Sequence, residues 1–355
     1  MKIIVSAGGT GGHIYPALAI IEEFKRREKD LEVLYIGTHN RMEKDIVPKY
    51  GIKYESITIY GFSKTLIKRD IKNIGYLIKS YNKCVNIMKS FKPDVVIGVG
   101  GYVTFPVIMA AKKMKIKTVI HEQNSIPGKA NKFLSKSCDI VFTSFLDSNK
   151  YFNNCNVIYS GNPSGDNVNN LNNIDPSIYN MDKLQKKVLI TCGSLGSSGL
   201  NNKLIDYLNN VDGYQVLFVT GKSNYNSMKS VINNKNVFIV DYIDNQAGIL
   251  KNMDLIISRA GASTLAEIIS SSVPSIIIPS PNVSNNHQYY NALSLNKLGC
   301  ITMVEESNIN KEVLDKEVDI LLNDDNIRKE MINNIKKIKV DNCSNIIYKE
   351  IKKIL

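Results

Sequence analysis

The sequence predicts an α/β protein in which two Rossmann-like domains, each a doubly wound parallel sheet, face a cleft. Three observations support this prediction. The chain has 355 residues, which is more than one hydrophobic core usually accommodates. Short apolar runs alternate with helical patterns, which is typical of parallel βαβ units. The opening pattern of strand, glycine-rich loop and helix also recurs in the second half of the chain.

The internal repeat divides the chain into two similar halves. Three pairs of segments correspond, and they begin at Lys2 and Lys187, at Glu32 and Gln215, and at Pro93 and Met253. The offset is 185 and 183 residues for the first two pairs but 160 for the third. We therefore expect an insertion of 23 residues in the first half, between its second and third repeated segments.

A polar, Asn-rich stretch near Gly161-Asn162-Pro163 indicates the domain boundary. We expect a first domain over residues 1–161 and a second over residues 162–340. A short basic amphipathic helix is predicted over about residues 341–355, because its apolar side chains recur at helical spacing.

Composition is that of an ordinary globular enzyme, with 43% hydrophobic and 22% charged residues. No apolar run approaches the ~18 residues that a membrane span requires. The N-terminal segment lacks the features of a secretory signal, so we expect a protein of the cytoplasm. The six cysteines are scattered without C-x-x-C spacing, which indicates neither a disulfide framework nor a zinc site.

The net charge of +12 is concentrated in residues 64–92, which hold eight Lys or Arg and one Asp. Apolar residues recur between them at helical spacing, so we expect an amphipathic helix that binds an anionic membrane surface. A core-packing helix with a solvated lysine face is the alternative. Biased use of Lys, Asn and Ile can explain the remaining charge, and we expect no nucleic-acid partner. The predicted membrane contacts are Lys64, Lys68, Arg69, Ile71, Lys72, Ile74, Leu77 and Ile78.

The first glycine-rich loop, residues 8–12, lies between a strand and an amphipathic helix. Its backbone N–H groups are therefore available for a phosphate at a helix N-terminus. The spacing fits neither the dinucleotide fingerprint nor a Walker loop. His13 follows directly and is placed to act as a base; a purely structural glycine turn is the alternative.

Other polar groups also follow predicted strands, at the edge where ligands bind in such sheets. In the first half these are the turn of residues 98–102 and the string His121-Glu-Gln-Asn124. In the second half, the loop of residues 192–199 and the block from Arg259 to Glu267 occupy this position. We expect Ser263 or Thr264 to cap the helix there. Glu267 is predicted to accept both hydroxyls of a ribose, or else to be part of the capping pattern.

Several longer motifs identify a family. GGTGGHIYPALA, Arg41-Met-Glu, PDVVIGVGGYV, HEQNSIPGKANKFLSK, GNP, RAGASTLAE and HQYYNA occur in this order through nearly the whole chain. Together they resemble the MurG family of peptidoglycan N-acetylglucosaminyltransferases. The resemblance implies a GT-B fold, with the C-terminal helix packed back on the first domain.

The resemblance also implies the reaction. GlcNAc is transferred with inversion from UDP-GlcNAc to the C4 hydroxyl of MurNAc on lipid I, which gives lipid II for peptidoglycan synthesis, cell shape and division. No metal or cofactor is implied. The protein is then peripheral, at the cytoplasmic face of the membrane, where other cell-wall synthesis proteins are possible partners.

Site residues are carried over by motif. The resemblance makes His13 the catalytic base. The implied donor contacts are Thr10, Gly11, Gly12, Asn124, Ser194, Ile243, Ala262, Ser263, Thr264, Leu265, Ala266, Glu267 and Gln288. The implied contacts on the acceptor side are Gly100, Gly101, Tyr102, His121 and Glu122.

Two positions depart from the family pattern. The family usually has Arg where this chain has Gly165, and an amide where it has Leu195. We expect activity with weakened affinity for UDP-GlcNAc. The alternatives are another GT-B enzyme, such as a diacylglycerol glycosyltransferase or a UDP-GlcNAc 2-epimerase, or a catalytically degenerate protein that binds UDP-sugars.

Overall fold

The computed structural model describes residues 1–61, 67–192 and 196–355, and for residues 67–72 the backbone alone. The chain divides into two compact units. The first comprises Met1–Ser164 and Asn342–Leu355, and the second comprises Gly165–Asp341. The sequence-based boundary after residue 161 therefore lies three residues before the structural one.

Strands and helices alternate through both units. The strands are β1 (Lys2–Ala7), β2 (Glu32–Thr38), β3 (Lys53–Ile57), β4 (Val95–Gly100), β5 (Lys117–Glu122), β6 (Ile140–Thr143), β7 (Val157–Tyr159), β8 (Lys187–Thr191), β9 (Gln215–Val219), β10 (Val237–Val240), β11 (Leu255–Ser258), β12 (Ser275–Ile277) and β13 (Thr302–Met303). The helices are α1 (Gly11–Arg27), α2 (Glu43–Ile46), α3 (Ile67–Phe91), α4 (Thr104–Lys113), α5 (Lys129–Leu134), α6 (Asn167–Asn170), α7 (Ser198–Lys203), α8 (Ile205–Asn209), α9 (Tyr225–Val231), α10 (Gln246–Leu250), α11 (Ala262–Ser271), α12 (His287–Lys297), α13 (Lys311–Asn323), α14 (Asp325–Ile338) and α15 (Cys343–Ile354).

Each unit contains one parallel sheet with the same strand order. The order is β3-β2-β1-β4-β5-β6-β7 in the first unit and β10-β9-β8-β11-β12-β13 in the second. Neighbouring strands pair in parallel throughout the described residues. The predicted fold class of two Rossmann-like parallel-sheet domains is confirmed.

The first sheet is buried on both faces. Ile3 and Val5 of β1 belong to a core cluster that includes residues of α1 and α15. Ile4 belongs to a second cluster, with residues of α3 and α4. Because successive side chains of a strand point to opposite faces, the continuous apolar run of β1 serves both layers.

The internal repeat extends to individual hydrogen bonds. The backbone N–H of Lys2 donates to Asp94 Oδ2 at 2.7 Å. At the equivalent position, the backbone N–H of Lys187 donates to Asp254 Oδ2 at 2.8 Å. Each aspartate lies just before the strand that pairs with the first strand of its unit, so both units repeat one local design.

The predicted insertion is confirmed and lies between β3 and β4. This connection runs over residues 58–94, whereas the equivalent one between β10 and β11 runs over residues 241–254, which is 23 residues fewer. The longer connection contains the 25-residue helix α3. Cys84 and Met88 of α3 are fully buried, whereas Ile74 and Ile78 are 50% and 56% exposed.

The helix of this basic segment has one side packed on the core and another side exposed to solvent. Leu77 packs against the core, while Ile74, Tyr76 and Ile78 are exposed to solvent. Lys64 and the side chains of Lys68, Arg69, Ile71 and Lys72 lie outside the described residues. Within the described ranges, no helix combines the length and the apolar character that a membrane span requires.

The C-terminal helix α15 packs against α1. Ile347 and Ile351 are fully buried in the core of the first unit. The Tyr348 hydroxyl and Lys352 Nζ donate to Glu28 Oε1 at 2.7 and 2.9 Å. The end of the chain is thus joined to the unit with which it begins.

Candidate functional site

The candidate residues of the first unit follow β1, β4 and β5, which are neighbours at the centre of the sheet. Parallel strands end at the same edge, so the loops that follow them meet there. Gly8 N donates to Gly100 O at 3.2 Å, which joins the loops after β1 and β4. At Gly101, where φ is 89°, a side chain would collide with the Gly8 carbonyl. The close approach of the two loops therefore requires glycine at position 101.

His13 lies in the first turn of α1 and is partly buried. Its Nδ1 is 3.0 Å from the carbonyl oxygen of Gly8. Because a carbonyl only accepts, Nδ1 carries the proton in this bond, and Nε2 of the neutral ring is an acceptor. A Cβ at Gly100 would lie 2.7 Å from His13 Cδ2. Gly100 therefore leaves the space that the imidazole occupies.

The loop before His13 presents backbone donors. Thr10 is the N-cap residue of α1, and its side chain makes no capping bond. The N–H groups of Gly11 and Gly12 donate to no group among the described residues. N–H groups in this position bind anions, because the helix dipole adds to their partial charge.

His121 is fully buried at the end of β5. Its Nε2 donates to Gly161 O at 3.0 Å, and its Nδ1 accepts from the Gln123 side-chain amide at 2.8 Å. Burial lowers the pKa of the imidazole to about 4. His121 is thus a neutral ring with both nitrogens engaged inside the unit.

Glu122 is likewise buried and organises the loop after β5. One carboxylate oxygen accepts from the backbone and side chain of Asn124, at 2.9 and 3.2 Å. The other accepts from Gly128 N at 3.0 Å and Asn131 Nδ2 at 2.9 Å. Contact of His121 or Glu122 with a sugar would require these bonds to break. In contrast, Tyr102 is 60% exposed.

The candidate residues of the second unit follow β8 and β11, which pair with each other. Ser194 and Leu195 lie outside the described residues. Helix α11 begins at Ala262 with Gly261 as N-cap. The prediction that Ser263 or Thr264 caps this helix is therefore wrong, because both lie inside its first turn. The Ser263 hydroxyl is buried and has no hydrogen-bond partner in the described part of the chain.

Glu267 lies in the second turn of α11, beside Ala266 and after Leu265. This position is too far into the helix for a capping role, so that alternative is wrong. The side chain is partly buried, and burial raises the pKa of its carboxyl to about 8. A ligand that donates hydrogen bonds to the ionised carboxylate would lower this pKa.

Two further donor candidates support loops of the second unit. Gln288 lies in the first turn of α12, and its Oε1 accepts from Ser280 N at 2.9 Å. Ile243 lies between β10 and α10 and is 5% exposed. The structure thus places all described donor candidates of this unit in loops or in the first two helical turns that follow parallel strands.

Arg259 is a buried residue to which the sequence reasoning assigned no role. Its Nη2 donates to the Ser197 hydroxyl at 2.8 Å, and its Nη1 forms an ion pair with Glu306 at 2.6 Å. Arg259 therefore joins the loop after β8 to the end of β11. The available signal was an arginine directly after a buried strand, since buried cations are rare unless paired.

Gly165 packs closely against α11. A Cβ there would lie 3.0 Å from Ala266 O and 3.4 Å from Ser270 Cβ. A larger residue would displace the backbone of the helix that carries Glu267. This contact gives a physical reason for a glycine at this position.

Comparison with known proteins covers both units. The model of the glycosyltransferase family 28 N-terminal domain matches residues 3–143, and that of the C-terminal domain matches residues 187–345. A Halalkalibacterium halodurans protein is 42% identical over 329 residues, which is 91% of each chain. It is named UDP-N-acetylglucosamine–N-acetylmuramyl-(pentapeptide) pyrophosphoryl-undecaprenol N-acetylglucosamine transferase. The chain belongs to this family of transferases, the MurG family.

Other members agree with this assignment. A Bacillus licheniformis protein of the same name is 39% identical over 361 residues, which cover all of this chain and 99% of its own. The crystal structure of Acinetobacter baumannii MurG aligns with a TM-score of 0.79 at 25% identity, over 99% of both chains. The expected membership of the MurG family and the glycosyltransferase class are confirmed.

Structures outside the MurG family share the fold. UDP-GlcNAc 2-epimerase from Neisseria meningitidis aligns with a TM-score of 0.70 at 15% identity, over 99% of this chain and all of its own. At this identity the likeness concerns the fold alone. The MurG-family relatives therefore decide between the GT-B enzymes that the sequence left open.

Proposed function

We propose that the protein transfers GlcNAc from UDP-GlcNAc to the C4 hydroxyl of MurNAc on lipid I, with inversion, and so forms lipid II. The names of its relatives support these substrates. The observation that carries the proposal is the orientation of His13 by its bond to Gly8, at the junction of two glycine loops. His13 is the general base of the reaction.

The chemistry requires one displacement. The C4 oxygen bonds to the anomeric carbon of GlcNAc as the bond from that carbon to the phosphate oxygen breaks, and UDP leaves with the electron pair. His13 Nε2 takes the proton of the hydroxyl, which makes the oxygen a better nucleophile. Backbone N–H groups at helix N-termini stabilise the negative charge that develops on UDP.

The donor site is formed by the elements that follow β8, β10, β11 and β12. The first turns of α11 and the Ser263 hydroxyl bind the diphosphate, and Glu267 accepts the ribose hydroxyls. Ile243 lies near the uracil and Gln288 near the sugar. The remaining donor contacts in the proposal are Thr10, Gly11, Gly12, Asn124, Ser194, Ala262, Thr264, Leu265 and Ala266.

On the acceptor side, Gly100, Gly101 and Tyr102 line the approach to His13. His121 and Glu122 have a supporting role in this proposal, because their buried hydrogen bonds hold the loops around Gly161 and Asn124. Helix α3 attaches the protein to the anionic cytoplasmic face of the membrane, where lipid I is available. Its exposed Ile74 and Ile78 support this attachment.

The experiment is an assay of GlcNAc transfer from UDP-GlcNAc to a lipid I analogue. For His13→Ala we expect kcat to fall by roughly 10²- to 10⁴-fold, the usual contribution of a general base. The affinity for UDP should be unchanged. His287→Ala is the matched control, since His287 also bonds a carbonyl through Nδ1, that of Ser284 at 2.8 Å. Equal activity of His13→Ala and the control would refute the proposed base.

A further inference from the structure

Glu43 is a fully buried carboxylate at the start of α2. One of its oxygens, Oε1, accepts from the backbone N–H of Thr38 at 3.0 Å and from the Thr38 hydroxyl at 2.6 Å. The other, Oε2, accepts from the backbone N–H of Gly9 at 3.1 Å. Glu43 therefore joins the first glycine loop to the end of β2.

Hydrogen-bond donors stabilise the carboxylate of Glu43. Among the residues that the structure describes, no cation forms an ion pair with this carboxylate. A buried carboxylate without a cation depends on its hydrogen-bond donors. Bonds to an ionised acceptor are also stronger than neutral ones. The position of the Gly9 N–H is therefore strongly constrained.

Two glycines make room for this carboxylate. A Cβ at Gly8 would lie 2.5 Å from Glu43 Oε1, and a Cβ at Gly37 would lie 2.8 Å from Glu43 Cγ. Both positions therefore need glycine in order to admit the side chain. The glycines of the first loop serve the contact with Glu43 as well as the approach of an anion.

The same peptide group contacts Glu43 and His13. The N–H of Gly9 donates to Glu43, and the carbonyl of the preceding Gly8 accepts from His13 Nδ1 at 3.0 Å. The carboxylate, the Gly8–Gly9 peptide and the imidazole thus form a continuous chain of hydrogen bonds. Bonds in such a chain polarise one another, so a negative charge at one end strengthens the acceptor at the other.

We propose that Glu43 is a positioning residue for His13, acting through the Gly8–Gly9 peptide. Glu43 fixes the peptide plane, and the peptide carbonyl then holds the proton of His13 on Nδ1. Nε2 is thereby kept as the base and its basicity is raised. This inference rests on the proposed role of His13 in the transfer reaction.

The test is Glu43→Gln. A side-chain amide has one acceptor oxygen, so it cannot replace both carboxylate oxygens, and either Gly9 or Thr38 loses its partner. We expect kcat to fall on the order of 10- to 100-fold, as for other groups that orient a functional histidine. The KM for UDP-GlcNAc should change less than kcat, because most of the proposed donor contacts belong to the second unit and not to this chain of bonds.

The matched control is Glu23→Gln. Glu23 is a buried carboxylate of α1 in the same unit, and it accepts from Arg26 and Arg27. Both variants lose a buried charge, so thermal unfolding of both should reveal any general loss of stability. Only Glu43→Gln should lose kcat in its folded fraction; equal kcat in the two variants would overturn the proposal.

A double-mutant cycle separates the inference from the proposed function. In a His13→Ala background, Glu43→Gln should cost no more than about twofold, because its target is absent. An additive loss would show that Glu43 does not act through His13. If His13→Ala itself retains full activity, the proposed function of His13 as base is refuted. This outcome differs from an additive loss, which refutes only the positioning role of Glu43.

A spectroscopic measurement covers the case in which Glu43→Gln is too unstable to assay for turnover at working temperature. The chain contains four histidines, so ¹⁵N-histidine NMR at low temperature resolves His13 by comparison with His13→Ala. Wild type should show the proton on Nδ1, and Glu43→Gln or Glu43→Asp should show a mixture of tautomers. An unchanged Nδ1–H tautomer in both variants would overturn the inference.

Discussion

His13 and His121 each donate to a backbone carbonyl through one ring nitrogen, but their surroundings differ. His121 is fully buried, and its second nitrogen is bonded to Gln123. Desolvation lowers its pKa to about 4, so the ring stays neutral at physiological pH. His13 is partly buried at a helix terminus beside glycine loops. Residue type alone therefore did not separate a structural histidine from a catalytic candidate.

Glu267 makes a prediction about pH. Its carboxyl has a pKa raised to about 8 by burial, so it is mainly protonated at pH 7. Ribose hydroxyls donate to the ionised form, so binding releases a proton and affinity rises with pH until the carboxyl is ionised. For one such group, we expect UDP affinity to rise about tenfold from pH 7 to pH 9.

Calorimetric titration of UDP across this pH range checks the prediction, with Glu267→Gln as the comparison. The variant should bind more weakly and lose the pH dependence. Glu267 should also make the folding stability of wild type depend on pH, but in the opposite direction to UDP affinity, and the variant should lose this dependence as well. A raised carboxyl pKa means that the folded protein binds the extra proton, so wild-type stability falls as pH rises from about 4.5 through 8. A pH-independent affinity in wild type would contradict the proposed ribose contact.

Among the helices, α3 combines two environments. Its Cys84 and Met88 are buried against the core, whereas Ile74 and Ile78 are half exposed. An amphipathic helix with basic residues and exposed aliphatic side chains suits the surface of an anionic bilayer. The packed side of the helix holds it on the first unit while the other side remains available.

Sedimentation with vesicles that contain anionic lipid tests this surface. We expect Ile74→Ser combined with Ile78→Ser to reduce the bound fraction at least several-fold, because each isoleucine loses most of its apolar burial in the bilayer. Ile327→Ser is the control, since Ile327 is a 40% exposed isoleucine on α14 of the second unit. Unchanged sedimentation of the double variant would argue against membrane binding by α3.

Across the entire chain, the repeat implies that each unit is stabilised by its own core. Asp94 and Asp254 make equivalent bonds to Lys2 and Lys187, one in each unit. Replacing either aspartate by Asn weakens one charge-assisted bond to a backbone N–H, which is worth about 1–3 kcal/mol. The effect should stay within the unit that carries the change.

Hydrogen exchange followed by mass spectrometry checks this expectation with the two variants as each other's control. Asp94→Asn should increase exchange in β1 and β4, and Asp254→Asn should increase it in β8 and β11. Each variant should leave the other unit at wild-type rates. A loss of protection in both units from either variant would mean that they unfold together, contrary to the prediction.

The arrangement of strands and helices was predictable because its signals are local. Apolar runs, helical periodicity and a repeat with a changed offset are properties of short segments and their spacing. They gave the two parallel sheets, the 23-residue insertion with its long helix, and the loops where ligands bind in such folds. The motifs added the family, which the comparisons confirmed.

The partners of individual polar groups depend on folding. Glu43 and Gly9 are 34 residues apart, and His121 and Gly161 are 40 apart. Strand order brings these groups together, and no local pattern records which donor meets which acceptor. The same holds for the contact of Gly165 with α11. The secondary-structure elements and the family could thus be predicted from the spacing of residues along the chain. The hydrogen-bond partners of the buried side chains became clear only from the tertiary structure, because hydrogen bonds require proximity in space.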